Sequence, residues 1–331
     1  MKQYKFSFII HKKTIMKICQ VHPGCGIPVP PPNWGAVEKI VWEFTQNLRL
    51  LGHEVDIKYA NEINPGDYDI VHVHMANLAN FLHERNVPYI YQLHDHHAHY
   101  YGKNSFVFNE NLKAIQNSQV SLMPGRFLVP YFDTPKAVYF SHGVNTDFFK
   151  PNNNRPKEHK LLCLANNGLA GMNGYDRKGF GFAIKAAMAK NLPITIAGPR
   201  NNENFLNENP WVYAYPKLNL EWEPNQEELV DLYHRHTIFM HPSELEAGHP
   251  NLTILEAAAC GLPVNGWIEM ETDFDGMWRA PRVVTELVRG LDDIINNYEL
   301  YREKAINHAE SLSWLNRSKE LAELCKNHIK A

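Results

Sequence analysis

The chain has little excess charge of either sign, few cysteines and no long hydrophobic run. Its 331 residues include 33 Lys and Arg against 36 Asp and Glu, a formal net charge of −3. Such a chain lacks the overall electrostatic footprint of a nucleic-acid-binding protein, although a local basic groove stays open. No apolar stretch approaches the roughly 20 residues that span a bilayer, so we predict no transmembrane segment.

The five cysteines are scattered along the chain, and no two of them form a Cys-x-x-Cys pair. This usage disfavours a disulfide framework and a structural zinc site, and it favours a reducing, cytoplasmic compartment. Residues 1–15 begin with basic residues, but their apolar patch is shorter than the roughly 7–15 residues of a secretory signal. We therefore predict no secretory signal in a cytoplasmic protein, and we interpret residues 1–15 as an N-terminal extension or as the product of a mis-set start codon.

Short apolar runs alternate with amphipathic stretches from Met16 onward, as in parallel sheets covered by helices on both faces. A polar stretch with two prolines and three consecutive asparagines, residues 151–159, is the best candidate for a linker. A helix is predicted from residue 36 up to Gly52, and helices fill the chain after residue 282. Strands are predicted at 16–22, 54–59, 69–75, 88–93 and 137–144, and then at 160–165, 193–198, 211–215, 237–242 and 262–266.

These signals predict an α/β protein with two doubly wound, Rossmann-like domains that face each other across a central cleft. The first domain covers residues 16–150 and the second covers residues 160–300. Helices at 301–331 form a C-terminal tail, which we expect to pack back toward the first domain. In such sheets ligands bind beyond the carboxyl ends of the strands, so the chemistry is expected in the cleft.

Four regions of the sequence resemble, in order, the motifs of family-four retaining glycosyltransferases of the GT-B fold. They are PPPNWGAVE (30–38), SHGVNTDFFKP (141–151), DRKGFGFAIKAA (176–187) with ITIAGP (194–199), and PSELEAGHPNLTILEAAACGLPV (242–264). An ordered set of motifs is more specific than any one of them. The resemblance implies that a hexosyl or pentosyl unit is moved from a nucleotide-diphosphate sugar, expected to be a UDP-sugar, to an acceptor hydroxyl. It implies neither a metal nor any cofactor beyond this co-substrate.

The resemblance also implies cationic groups at the leaving diphosphate, where negative charge gathers in the transition state. Lys178 is the main candidate for this catalytic role, and Arg177 and Arg200 are further donor-binding candidates. Gly35 opens a helix whose free N–H groups suit an anion. Each position also has a plain structural reading, as a solvated residue at a helix start or as a turn glycine.

The remaining candidates bind sugars. The resemblance implies that Glu256 accepts hydrogen bonds from the two ribose hydroxyls and that Glu246 holds the transferred sugar, with Asn251 also at the donor. His94 matches a histidine near the reacting sugar, where it hydrogen-bonds the sugar or the acceptor region, and general base is an alternative role. The catalytic set is thus His94, Lys178 and Glu246.

The sequence departs from the family pattern at several of these places. Asn166 stands near the position where the family carries a phosphate-binding arginine. Nine residues separate Glu246 from Glu256, a longer spacing than in the family's motif. The histidine-rich run His94-Asp95-His96-His97-Ala98-His99 matches no standard zinc ligand spacing, so we predict no metal site there.

Two other functions fit the same sequence, namely a nucleotide-sugar epimerase and an inactive nucleotide-sugar-binding protein. An epimerase would act on the donor alone, whereas an inactive copy would have no reason to keep Lys178, Glu256 and His94 together. The acceptor stays open among glycans, small molecules and the modified DNA bases of some viruses. Nucleic acid is thus a possible partner, but the net charge gives it no support.

Overall fold

The computed structural model describes residues 15–32, 35–152, 154–166, 176–244, 250–267 and 274–329. In the first half of the chain, parallel strands form a six-stranded sheet in the order β2-β1-β3-β4-β5-β6. Its strands are β1 (Lys17–Val21), β2 (Glu54–Lys58), β3 (Ile70–Val73), β4 (Ile90–Gln92), β5 (Ser121–Met123) and β6 (Ala137–Tyr139). Its helices are α1 (Ala36–Leu50), α2 (Ala76–Glu84), α3 (His97–Tyr101), α4 (Phe106–Asn117) and α5 (Leu128–Phe132).

The second half repeats this arrangement, with a parallel sheet in the order β12-β11-β10-β7-β8-β9. Its strands are β7 (Leu161–Leu164), β8 (Ile194–Gly198), β9 (Leu218–Trp222), β10 (Ile238–Pro242), β11 (Val264–Trp267) and β12 (Met277–Arg279). Its helices are α6 (Phe180–Lys190), α7 (Glu203–Glu208), α8 (Gln226–His234), α9 (Leu252–Ala259) and α10 (Val284–Asn296). Helices α11 (Tyr298–Ser311) and α12 (Trp314–Ile329) complete the chain.

The predicted fold class is confirmed: two parallel sheets, each covered by helices, with a helical C-terminal tail. The central strands are apolar runs whose side chains are buried on both faces, as in Leu161–Leu164 and Ile238–Pro242. Such strands read as continuous hydrophobic segments, which is why the sequence reveals them. None of the described helices combines the length and the apolar character that crossing a bilayer requires.

The prediction of a strand at residues 211–215 was wrong. Residues Pro210–Ala214 form a 3₁₀ helix, in which Val212 is buried against the second sheet while Tyr213 is exposed. Proline at the first helical position favours this turn, because its ring already has the helical φ and the missing N–H is not needed there. The strand of this region is β9 (Leu218–Trp222), which lies at the edge of the sheet and is only partly buried.

The C-terminal tail returns to the first domain through a specific joint. The backbone of Val144 hydrogen-bonds on both sides, to the carbonyl of Leu312 and from the amide of Trp314, each at 3.0 Å. The Trp314 ring then packs edge-on against Phe44 of α1, with ring centroids 5.1 Å apart. A Cβ at Gly143 would lie 2.7 Å from the Trp314 ring, so glycine is needed where the two segments meet. Helix α12 therefore packs against α1 of the first domain.

Candidate active site

A cavity of about 300 Å³ lies between the two domains. We call it the cleft. It is reached by the ends of β4 and β7 and by the starts of α1 and α9, as expected for ligands that bind beyond the carboxyl ends of parallel strands. Its described lining residues are Gly35, Ala36, Val37, Lys39, Ile40, His94 and His142 from the first domain, and Leu164, Ala165, Asn166, Lys178, Leu229, Asn251, Leu252, Thr253 and Glu256 from the second.

Gly35 brings the N-terminus of α1 to the cleft. Its φ of 146° lies in the region that favours glycine, and a Cβ there would be 2.9 Å from Glu38 Oε2 and 3.0 Å from Pro31 Cβ. The residue has no side chain to cap the helix, and Ala36 and Val37 of the first turn line the cleft. Free N–H groups at a helix start favour an anion, so this wall suits a phosphate oxygen.

His94 and His142 both line the cleft, and a row of hydrogen bonds continues behind them. His94 Nε2 lies 2.9 Å from His74 Nδ1, and His74 Nε2 lies 2.9 Å from Gln20 Oε1. With the Gln20 oxygen as acceptor, His74 carries its proton on Nε2 and its Nδ1 accepts the proton of His94 Nε2. His94 Nδ1 then faces His142 Nε2 at 3.5 Å.

Burial disfavours charge along this row. It lowers the pKa of His94 and that of His74 well below the usual histidine value, and the neighbouring histidines add to the effect. Burial likewise lowers the pKa of His72, whose ring packs 4.3 Å from that of His74, to about 3. The histidine at the cleft is thus held neutral, and it can donate or accept a hydrogen bond to a sugar hydroxyl without bringing a positive charge.

The other histidines of the run His94–His99 have different surroundings. His96 is buried, His97 is exposed and pairs with Asp95 at 3.3 Å, and His99 packs edge-on against Tyr131. Within the described ranges, no three His, Cys, Asp or Glu side chains are grouped in a way that could hold a metal ion.

Lys178 lines the opposite wall of the cleft and is buried, with 9% of its surface exposed. Asp176 orients this segment, because its carboxylate accepts the backbone N–H groups of Phe180 at 2.9 Å and Gly181 at 2.7 Å at the start of α6. Gly179 between them has a φ of 74°, and a Cβ there would lie 2.1 Å from the carbonyl oxygen of Pro242. The loop therefore passes close to β10, and Lys178 is held at the cleft.

The two arginines proposed for the donor take other positions. Arg177 donates from Nη2 to the backbone oxygen of Asn166 at 3.2 Å, and the residue is not among the described lining of the cleft. Arg177 therefore contacts Asn166, the position near which the resemblance expects an arginine, by a hydrogen bond to the Asn166 backbone. Arg200 is 63% exposed in its side chain, pairs with Glu203 at 3.0 Å and likewise lies outside the described lining.

Glu256 and Asn251 both line the cleft from α9. Glu256 is 6% exposed, and its carboxylate accepts the Tyr233 hydroxyl at 3.1 Å and contacts Lys39 at 2.5 Å. Asn251 caps α9, with Oδ1 accepting the N–H of Ile254 at 3.1 Å, and its amide nitrogen contacts His241 at 3.1 Å. Glu246 lies outside the described residues.

Of the predicted residues, the structure brings five together around one cavity: Gly35, His94, Lys178, Asn251 and Glu256. Sequence reasoning missed Lys39 and His142, which face the same space. His142 lies inside the segment 141–151 that resembles a family motif, so its position in that motif could have indicated that it lines the cleft. Lys39 follows Gly35 by one helical turn, which places it at the same wall.

Part of the second half of the chain is similar to a known family model. Residues 172–311 match the family model described as glycosyl transferases group 1. No curated protein sequence is significantly similar to the chain.

Solved structures, among them a glycosyltransferase, share the fold over nearly the whole chain. Anabaena HepE, crystallised with UDP and glucose, superposes with a TM-score of 0.71 at 11% identity, covering 94% of this chain and 99% of that one. AviGT4, involved in avilamycin A biosynthesis, gives 0.65 at 17% identity over 96% and 98%. The catalytic domain of Arabidopsis thaliana starch synthase IV, bound to ADP and acarbose, gives 0.67 at 10% identity over 96% and 100%.

The fold and the matching domain together define an enzyme of the glycosyltransferase class with a GT-B fold. More particularly, the residues similar to the group 1 glycosyl transferase model, 172–311, lie in its second half.

Proposed function

We propose that the enzyme transfers a sugar, with retention of anomeric configuration and without a metal, from a nucleotide-diphosphate donor to an acceptor hydroxyl. One observation carries the proposal: the buried carboxylate of Glu256, the ammonium of Lys178 and the imidazole of His94 line one cavity between the domains. These are the groups needed for a ribose, a diphosphate and a sugar. Retention rests on the motif resemblance described above.

Each group would act on a different part of the donor. Glu256 would accept hydrogen bonds from the ribose hydroxyls, since a carboxylate offers several acceptor sites. Lys178 and the N–H groups at the start of α1 would stabilise the negative charge that grows on the diphosphate as its bond to the anomeric carbon breaks. The neutral His94 would hydrogen-bond the transferred sugar, while Glu246 is proposed for its remaining hydroxyls. The acceptor oxygen forms the new bond to the anomeric carbon, and its proton is taken up by the departing diphosphate oxygen.

The donor is proposed to be a UDP-sugar, and the enzyme is expected in the cytoplasm. UDP is supported by the HepE complex, but starch synthase IV was crystallised with ADP, so both bases need testing. A thermal-shift screen with UDP-, ADP- and GDP-sugars identifies the donor. Mass spectrometry of glycan, small-molecule and modified-DNA acceptors incubated with that donor then identifies the product.

The same screen separates the rival functions. Proton NMR of the product's anomeric centre should show the configuration of the donor, and an inverted centre would contradict retention. Conversion of the donor alone into an epimer would indicate an epimerase. Binding of a donor without turnover on any acceptor class would indicate an inactive nucleotide-sugar-binding protein.

A further inference from the structure

Lys39 and Glu256 form an ion pair across the cleft. Lys39 is on α1 of the first domain and Glu256 is on α9 of the second, 217 positions further along the chain, and Nζ lies 2.5 Å from Oε1. Their side chains are 20% and 7% exposed, so the pair is largely removed from solvent. The Lys39 ammonium also lies 5.0 Å from the centre of the Phe149 ring.

The described lining of the cleft offers few positive charges to pair with the negative charges of a nucleoside diphosphate. A nucleoside diphosphate brings at least two negative charges, and burying a charge is costly unless it is paired. Among the described residues that line the cleft, the lysines and arginines are Lys39 and Lys178 alone, one on each wall. Asn166, on the wall of Lys178, is uncharged.

When the donor binds, the Lys39 ammonium would interact more favourably with the diphosphate than with the Glu256 carboxylate. The Glu256 carboxylate already accepts the Tyr233 hydroxyl at 3.1 Å, and ribose hydroxyls would occupy its remaining acceptor sites. A diphosphate carries more negative charge than one carboxylate shared among several donors, so it attracts the ammonium more strongly. Lysine has a flexible stem and three N–H donors, which allow it to turn from one anion to another.

We propose that Lys39 is a diphosphate-binding residue, which leaves Glu256 for the donor's phosphates when the ribose hydroxyls take Glu256. This inference rests on the proposed function, because it assumes that a nucleoside diphosphate binds in the cleft. It assigns the first domain a direct part in holding the donor. In the donor complex, Lys39 of α1 and Glu256 of α9 would both contact the donor and would no longer contact each other.

The test compares a nucleoside with its diphosphate. Calorimetry measures the affinities of uridine and UDP for the wild type, Lys39→Met and Lys39→Arg. If Lys39 binds the phosphates, the preference for UDP over uridine should fall about 10- to 150-fold in Lys39→Met, the range expected for a charged hydrogen bond. Lys39→Arg should keep most of that preference, since the charge remains. If ADP binds the wild type more tightly than UDP, the same affinities are measured with adenosine and ADP in place of uridine and UDP.

A matched control is Lys113→Met. Lys113 is on α4, outside the described cleft lining, and it pairs with Glu84 of α2 at 3.3 Å. This variant should leave the preference unchanged. If Lys39 serves only to hold Glu256, Lys39→Met will change uridine and UDP affinities by the same factor, and the inference is then wrong.

A second variant keeps the test decisive if Lys39→Met does not fold. Glu256→Gln breaks the same pair but leaves the ammonium in place, so it should weaken uridine at least as much as UDP and preserve the preference for UDP. A lost preference in Glu256→Gln would overturn the inference, because Lys39 would then need Glu256 to act. A wild type with no preference for any of UDP, ADP or GDP over its nucleoside would instead overturn the proposed function.

Discussion

His74 Nδ1 lies 2.9 Å from His94 Nε2, so the histidine at the cleft is held from behind by a buried histidine. His74 is in turn fixed by the amide of Gln20 at 2.9 Å. The row fixes which nitrogen of His94 carries the proton, and it does so only while the rings are neutral. Its charge state therefore links the shape of the site to pH.

The first prediction concerns stability in mild acid. The folded-state pKa of His72 is about 3 and those of His74 and His94 are lowered, whereas the unfolded chain takes up these protons near pH 6.5. The unfolded state thus binds more protons below pH 6.5, so the free energy of unfolding should fall as pH decreases from about 6.5 to 5, by up to about 1.4 kcal/mol per pH unit for each histidine.

Urea unfolding at several pH values measures this slope. His72→Phe keeps a ring in place without a titrating group, so its slope should be smaller than that of the wild type. His83→Gln removes an exposed histidine on α2 and should keep the wild-type slope. Equal slopes for all three proteins would mean that the buried histidines do not account for acid sensitivity.

The second prediction concerns Lys178. Its replacement by alanine removes a charge at the leaving diphosphate, so turnover should fall by roughly 10²–10³. Arg177→Ala should be milder, because Arg177 contacts the backbone of Asn166 and lies outside the described cleft lining. Steady-state kinetics with the identified donor and acceptor measures both. A Lys178→Ala enzyme within about threefold of the wild type would contradict the assigned role.

The third prediction concerns the loop that holds Lys178. Gly179→Ala places a Cβ 2.1 Å from the Pro242 carbonyl oxygen at a φ of 74°, so the loop must move. Gly66→Ala also introduces a side chain at positive φ, but its Cβ meets no atom within 4 Å. Gly66→Ala should cost about 1–2 kcal/mol of unfolding free energy from backbone strain alone.

Gly179→Ala should cost more stability than Gly66→Ala, and it alone should reduce turnover, since Lys178 is displaced. Thermal unfolding and kinetics on both variants make the comparison. Similar stability and activity in the two would show that the close approach to β10 does not position the lysine.

The fourth prediction concerns metals. Because fixed cations and N–H groups are proposed to stabilise the leaving diphosphate, turnover should survive excess EDTA. The measurement is the rate of product formation before and after chelation, followed by addition of Mg²⁺ or Mn²⁺. A loss of turnover that either metal restores would contradict the proposed chemistry.

The parts of the fold that sequence predicts are those with a clear local pattern of apolar residues. Central strand β7 is apolar throughout and β10 is apolar apart from His241, and the helical spacing of residues 36–50 survives in α1. Strands β5 and β12 have three residues each and lack the longer apolar runs that mark the equally short β4 and β6, and edge strand β9 is only half-buried. The turn at Pro210–Ala214 was misread as a strand because its aromatic residues favour β structure in isolation.

The site was predictable where a motif marks it and hidden where it depends on distant contacts. Lys178 and Glu256 stand in segments with a recognisable pattern. Lys39 reads as an ordinary helical lysine, because its partner is 217 positions away and no local spacing joins them. The Gln20–His74–His94 row is likewise assembled from three separate strand ends.

The central claim, that the cleft binds a nucleotide through its ribose and diphosphate, depends most directly on Glu256. Glu256→Gln keeps the size of the side chain but loses its charge and one acceptor, so nucleotide affinity should fall by roughly 10- to 150-fold. It also breaks the pair with Lys39, so some loss of stability without ligand is expected. The control ligand is the 2′-deoxy nucleotide, which already lacks one of the hydroxyls that Glu256 would bind.

The decisive measurement is therefore the affinity of wild type and Glu256→Gln for UDP and for 2′-deoxy-UDP, in one calorimetric series. We expect the substitution to cost clearly less affinity with the deoxy ligand than with the ribose ligand, because the deoxy ligand already lacks a hydroxyl that Glu256 would bind. Equal losses with both ligands would show that Glu256 supports α9 and its ion pair without touching the ribose, and would contradict the proposed donor site.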